Sequence, residues 1–131
     1  MDRDKEIEQK KLTSYIKKVY PFYEYGMWAL ILRKNHQIIG KVGLSNREYK
    51  GANCVELGYL IDWDYRRKGY AREACKLCIQ YAKEELYLDE IYCFVNEENR
   101  NSLYLALRLG FEVIDKEKYL KESCYVLRKK L

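Results

Sequence analysis

Between two short apolar runs, residues 53–62 (NCVELGYLID) and 90–95 (EIYCFV), the sequence carries one long stripe: Ala71, Ala74, Cys75, Cys78, Ile79, Ala82 and Leu86. That spacing is one face of an α-helix, so it predicts a helix over 70–86 with a buried side. Both flanking runs read as strands. Strand, helix and strand in this order make a parallel βαβ unit with a right-handed crossover. The first run is apolar on both faces apart from Glu56, which predicts that both faces are covered.

The remaining segments extend this unit into a single domain spanning 1–131, a length that hides roughly two thirds of the surface the unfolded chain exposes. MWALILR (27–33), the turn KNHQ and IIGKVGLS (38–45) read as an antiparallel hairpin. Residues 99–109 form a second core helix, and FEVIDKEKY with ESCYVLRK closes the domain as another hairpin. Ahead of Pro21, the pattern Ile7, Leu12, Tyr15, Ile16 and Val19 predicts an amphipathic helix over 4–20.

Composition removes several classes. Apolar residues make up 48% and charged residues 34%, which fits a globular protein. No apolar run approaches the ~20 residues of a membrane span, and the charged opening MDRDKEIEQKK is no secretory signal, so a cytoplasmic location without a membrane partner is expected. Five cysteines are an odd number and lack the density of a disulfide scaffold. Cys75 and Cys78 form a C-x-x-C without a second ligand pair, and the lone histidine, His36, sits in a turn; core thiols are expected rather than a metal site. The net charge of +5 favours contact with an anion without demanding nucleic acid. The basic Arg128, Lys129 and Lys130 read as a solvated terminus. Most of the fourteen tyrosines fall at apolar-periodic positions and read as packing, not as a stacking platform for bases, so no nucleic-acid partner is expected.

The loop that opens the first helix, YRRKGYAREACKLC (65–78), is the functional signal. A helix start has unpaired N–H groups and a partial positive charge, so a glycine-containing loop there can wrap a phosphate. Gly69 lets the backbone approach a ligand, Arg66, Arg67 and Lys68 add counter-charge, and Ala71 keeps the turn clear. Neither a Walker nucleotide loop nor a Rossmann glycine pattern is present.

Arg66, two residues, Gly69, one residue and Ala71 resemble the pyrophosphate loop of the GNAT superfamily of acyl-CoA-dependent N-acyltransferases, which reads Gln or Arg, two residues, Gly, one residue, then Gly or Ala. VELGYLID stands upstream as that family's fourth strand does, and VNEENRNSLYLALRLGFE (95–112) follows the next strand as its last helix does. Asn99, Ser102 and LGF (109–111) are most similar to the branch that acetylates ribosomal-protein N-termini. The likeness covers residues 28 to about 125.

The resemblance implies a mixed α/β fold with a mostly antiparallel central sheet, one parallel βαβ unit and helices on both faces, shortened at its N-terminus. It implies acetyl-coenzyme A as donor, bound through Leu60, Ile61, Arg66, Arg67, Lys68, Gly69, Tyr70, Ala71, Asn96, Asn99 and Ser102, with the pantetheine arm between strands 53–62 and 90–95, which start side by side and splay. Backbone around Leu60 and Ile61 would hold the arm and supply an oxyanion donor. The acceptor is an amine, either a peptide N-terminus or a small molecule, and no metal takes part. A protonated amine is not nucleophilic, so a base must take its proton; Glu56, in an apolar strand that should raise its pKa, is the candidate. Many relatives protonate the leaving thiolate with a tyrosine five residues before the phenylalanine of LGF, where this chain has Ala106. Tyr104 lies about 200° round the helix from there and should face elsewhere. Ser102 is then expected to hydrogen-bond the thiol, and Asn99 to cap its helix as well as contact the ligand. The short N-terminus predicts an unpaired edge on strand 27–33 that a second copy of the chain can cover. Two other classes stay open: a catalytically idle acyl-CoA-binding module, motivated by Ala106, and a small basic RNA-binding protein, motivated by net charge and tyrosine count.

Overall fold

Strands and helices fall where the apolar period changes between two and 3.6. The computed structural model describes residues 16–21, 27–119 and 121–131. Along the chain run β1 (Ile16–Pro21), β2 (Met27–Leu32), β3 (Ile38–Tyr49), β4 (Ala52–Ile61), a single 3-10 turn (Trp63–Tyr65), α1 (Tyr70–Glu84), β5 (Glu90–Asn96), α2 (Arg100–Arg108), β6 (Glu112–Tyr119) and β7 (Glu122–Lys130). The described strands form one sheet of seven in the order β1-β2-β3-β4-β5-β7-β6. Its one parallel pairing among the described residues is β4 with β5, as the βαβ reading requires.

β3 runs past residue 45, where the apolar pattern fades, because Lys50 and Gly51 reverse the chain with φ of 50° and 78°. Two successive residues at positive φ make the tight turn whose twist suits an antiparallel hairpin. The ladder it closes extends from Tyr49↔Ala52 to Gly40↔Ile61 without a break.

Side chains alternate across each strand. On one face, Trp28, Leu30, Val42, Leu44, Leu57, Ile61, Ile91, Cys93, Val95 and Leu127 pack with Ala74, Cys75, Cys78, Tyr81 and Ala82 of α1 and with Ala106 of α2. Trp28 meets Tyr81 edge to face, ring centroids 5.1 Å apart. Each fully buried leucine here contributes about 1.5–3 kcal/mol of transfer free energy, so this face holds the fold together. Both described helices lie on it. Helices were expected on both faces, but on the opposite face the described residues place none, and Leu60 of β4 is 51% exposed there. No described helix is long and apolar enough to cross a membrane.

The helix expected over 4–20 needs correction. Residues 4–15 lie outside those described, but Ile16–Pro21 is a strand that pairs with β2 through Val19↔Leu30, Tyr20↔Ala29 and Pro21↔Trp28. Ile16, Val19 and Tyr20 are strand formers, and a proline ending an edge strand removes no ladder bond that matters. β1 therefore fills the edge of β2 that was expected to stand open, and with it goes the reason to expect a second copy there.

Cys75, Cys78 and Cys93 are buried core thiols, and burial pushes all three thiols far up from their ordinary pKa. Cys54 and Cys124 are partly accessible, the Cys54 thiol raised by burial and then by Glu56. At pH 8 a thiol reagent should therefore modify Cys124 first and Cys54 more slowly, while the other three react only in denaturant; fast modification of Cys75 or Cys78 would contradict this packing. A Cβ at Gly40 would press on the Leu60 carbonyl oxygen and lie 3.0 Å from the Ile61 Cα. Gly40→Ala should cost roughly 1–3 kcal/mol and lower the melting temperature by several degrees, whereas unchanged melting would show that β3 and β4 are not this close.

Candidate active site

Among the described residues β4 and β5 share a single register pair, Glu56↔Tyr92, and past it their ladder is open. The Asp62 N–H donates to Ile39 (2.7 Å), and the Leu60 carbonyl turns to Gly40, so the even residues at the end of β4 present their backbone to β3. Odd residues present theirs to the opening. The Leu57 carbonyl lies 3.8 Å from the Cys93 thiol, and the Ile61 carbonyl accepts from Arg66 Nε at 2.9 Å. Of the two residues expected to hold a pantetheine arm, Ile61 therefore faces the opening and Leu60 turns its carbonyl away; Tyr59, which sequence reasoning missed, faces it as well.

The loop between β4 and α1 is shaped by two left-handed residues, Arg67 (φ 62°) and Gly69 (φ 84°). Gly69 is the N-cap of α1 and offers no side chain, so no side chain caps the first-turn amides of Tyr70 and Ala71. A Cβ on Gly69 would meet nothing within 4 Å. The glycine thus answers to its φ, and the space in front of the turn is open to approach. Arg66 does not float free as counter-charge: its Nε holds the Ile61 carbonyl and its guanidinium sits 5.1 Å from the Trp63 ring. Arg67 and Lys68 are exposed, Lys68 Nζ lying 5.8 Å from the Tyr65 ring, and Tyr65 in turn packs on Tyr70.

Across the opening, Asn96 and Asn99 shape the entry to α2. The Asn96 side chain accepts from the Glu98 N–H at 2.9 Å, and the Asn99 side chain accepts from the Ser102 N–H at 3.2 Å as the N-cap. The Ser102 hydroxyl lies 2.9 Å from the Tyr59 phenol, a contact that joins α2 to β4 over the splay. Burial raises the Tyr59 pKa, while the Ser102 contact opposes the shift. Ala106 points into the core and Tyr104 is 53% exposed. The one sequence signal for Tyr59 was a polar aromatic in an otherwise apolar row, Val55, Leu57, Ile61, and it was read as packing.

Glu56 lies on the opposite face of the sheet from Tyr59 and Ser102. Its carboxylate oxygens are both 3.4 Å from Arg47 Nη1, and the Arg47 guanidinium rests 3.8 Å from the Phe94 ring. Tyr49, Tyr92 and Phe94 make an aromatic cluster beside them. The Tyr49 phenol donates to Asp115 at 2.6 Å, and that bond pushes its pKa up to about 12. Glu56 is therefore paired with a cation rather than set in the apolar surroundings that the sequence of β4 suggested; the partner comes from β3, which the reading of β4 alone did not reach.

A cavity of about 500 Å³ lies between α1 and the ends of α2 and β7, lined by Arg72, Lys76, Lys83 and Glu84 on α1 with Arg108, Lys129 and Lys130.

Residues 2–112 match the GNAT acetyltransferase domain. The chain is 27% identical to YjdG, an uncharacterized N-acetyltransferase of Bacillus subtilis (strain 168), over 79% of this chain and 61% of that protein. A GNAT-family acetyltransferase from Bordetella pertussis superposes with a TM-score of 0.74 at 20% identity, over 82% of this chain and 67% of that one, a likeness of fold. The ribosomal-protein-S5-alanine acetyltransferase from Vibrio fischeri superposes with a TM-score of 0.71 at 25% identity, over 79% and 60%. The chain spans about half to three fifths of the length of the curated relatives it matches. With most of its length matching that domain and with β4 and β5 parting beside an uncapped helix start, the chain belongs to the GNAT acetyltransferase family.

Proposed function

We propose that the protein transfers an acetyl group from acetyl-coenzyme A to a primary amine, a peptide N-terminus or a small amine, by direct attack in the cytoplasm. One observation carries this reading: the uncapped start of α1 lies at the end of β4, next to the opening between β4 and β5. The residues there suit the donor. Amides of Tyr70 and Ala71 with the cations Arg67 and Lys68 would hold a diphosphate, and the gap-facing backbone of Tyr59 and Ile61 would pair with the amides of an extended arm, as an added strand does. Asn96 and Asn99 bound the far side of the same opening.

The chemistry follows from the two faces. Glu56 would take the proton of the attacking amine, directly or through a water, with Arg47 fixing the carboxylate where the ladder ends. Ser102 would hydrogen-bond the sulfur that leaves. The substitution of alanine for tyrosine at position 106 favours a second reading, an acyl-CoA-binding module without turnover, and free-thiol release over a panel of amines and N-terminal peptides separates the two.

Coenzyme A at a hundred-fold excess over its Kd should add about 2.7 kcal/mol to stability and raise the melting temperature by several degrees. Gly69→Ala places a Cβ at φ 84° and should weaken coenzyme A binding at least ten-fold; an unaltered shift for both proteins would remove the loop from the site. Glu56→Gln should lower turnover by about 10²-fold or more with KM for acetyl-coenzyme A within about two-fold of the parent, and equal turnover would remove Glu56 from the mechanism.

A further inference from the structure

We infer that Tyr59 is a positioning residue for acyl transfer, donating its phenol proton to Ser102 and so aiming the serine hydroxyl at the departing sulfur. The inference rests on the acetyltransferase reading and adds a member to its site. β4 turns Val55, Leu57, Tyr59 and Ile61 toward the helices, and Tyr59 is the one polar side chain in that row. A phenol placed in an apolar layer needs a hydrogen-bond partner. Its partner is Ser102 Oγ at 2.9 Å, on the first turn of α2 and across the opening where the donor's arm would lie.

The direction of this bond decides what Ser102 can do. A hydroxyl has one proton and two lone pairs. Were Ser102 to donate to Tyr59, no proton would remain for another acceptor; with Tyr59 donating, the serine proton is available to the opening. Asn99 fixes the backbone of Ser102 through its N–H at 3.2 Å, so the hydroxyl rotor is the freedom left to set. A phenol is protonated at neutral pH and burial moves Tyr59 further the same way, so its O–H is present as donor. On α2 itself, position 106 is alanine and Tyr104 is turned to solvent, so neither takes the place of Tyr59.

In the reaction, nitrogen bonds to the thioester carbonyl carbon and the carbon–sulfur bond breaks, its electron pair going to sulfur. The amine proton goes to Glu56. The sulfur accepts a hydrogen bond from Ser102, which itself accepts one from Tyr59, and no proton leaves the tyrosine; solvent protonates the thiolate as it departs. The products are the N-acetyl amine and coenzyme A as thiol.

Tyr59→Phe removes one oxygen and keeps the ring. It should lower kcat about ten-fold with KM for acetyl-coenzyme A within two-fold and melting within about 2 °C of the parent. Ser102→Ala should do the same, Ser102→Thr should recover most of the rate, and the double variant Tyr59→Phe/Ser102→Ala should be no slower than Ser102→Ala alone, because both losses remove one chain of hydrogen bonds. If Tyr59→Phe lowers melting while kcat per folded molecule is unchanged, the contact is a strut between β4 and α2 and the inference fails. Multiplying losses in the double variant would also overturn it. A parent chain that binds coenzyme A yet acetylates no amine would sink the underlying reading first, a result visible before any variant is made.

Discussion

The site depends on a ladder that stops after one pair. β4 is held along its length by β3, from Tyr49↔Ala52 to Gly40↔Ile61, and β5 is held along its length by β7, from Glu90↔Lys130 to Asn96↔Cys124. Each strand thus has a complete partner on its far side, and among the described residues Glu56↔Tyr92 is the one register pair between the two halves of the sheet. The backbone groups of Tyr59 and Ile61 are left facing a gap, and backbone polar groups away from water must find partners. Arg66 supplies one, taking the Ile61 carbonyl.

That arginine links the strand end to the helix start. Eight residues, 62–69, carry the chain from β4 to α1, and they do so through a 3-10 turn and two left-handed residues. Arg67 at φ 62° carries strain that a glycine would not, on the order of 1 kcal/mol. The Arg66 contacts with Ile61 and Trp63 hold the loop in the conformation that this strain opposes. One basic residue of the three is therefore committed to shaping the loop, and the electrostatic attraction for an anion falls to Arg67, Lys68 and the helix amides.

The elements with a strong period were legible in the sequence: α1 was read to 86 and ends at Glu84, α2 was read over 99–109 and occupies Arg100–Arg108 between caps at Asn99 and Leu109. What failed was decided by partners distant in sequence. Residues 16–21 show a helix-compatible pattern, yet the open edge of β2 offers a row of N–H and C=O groups, and the pairing that results outweighs a weak local preference. The extension of β3 to Tyr49 is polar and has no apolar alternation to reveal it; the Lys50–Gly51 turn was its signal. At the candidate site, what was legible is the local geometry of the loop, a glycine at positive φ as the N-cap of α1. Tyr59 was not, since nothing in β4 says that a serine 43 residues later will lie against its phenol.

Glu56 and Tyr59 are three residues apart on one strand and face opposite sides of the sheet, so no compact ligand lying on either face reaches both side chains. An extended ligand that threads the opening does. On the proposed reaction this separation is useful: the proton taken from the amine and the hydrogen bond given to sulfur are handled on different sides of a β-layer, where the carboxylate cannot compete with the thiolate for the Ser102 hydroxyl. The same separation explains why Arg47 pairs with Glu56 without interfering with the leaving group, because the guanidinium is held on its own face by the Phe94 ring at 3.8 Å. A cation on the other face would draw the sulfur away from the hydroxyl pair; there the row beside Tyr59, formed by Val55, Leu57 and Ile61, is apolar, and the phenol and serine supply the polarity that a departing thiolate needs.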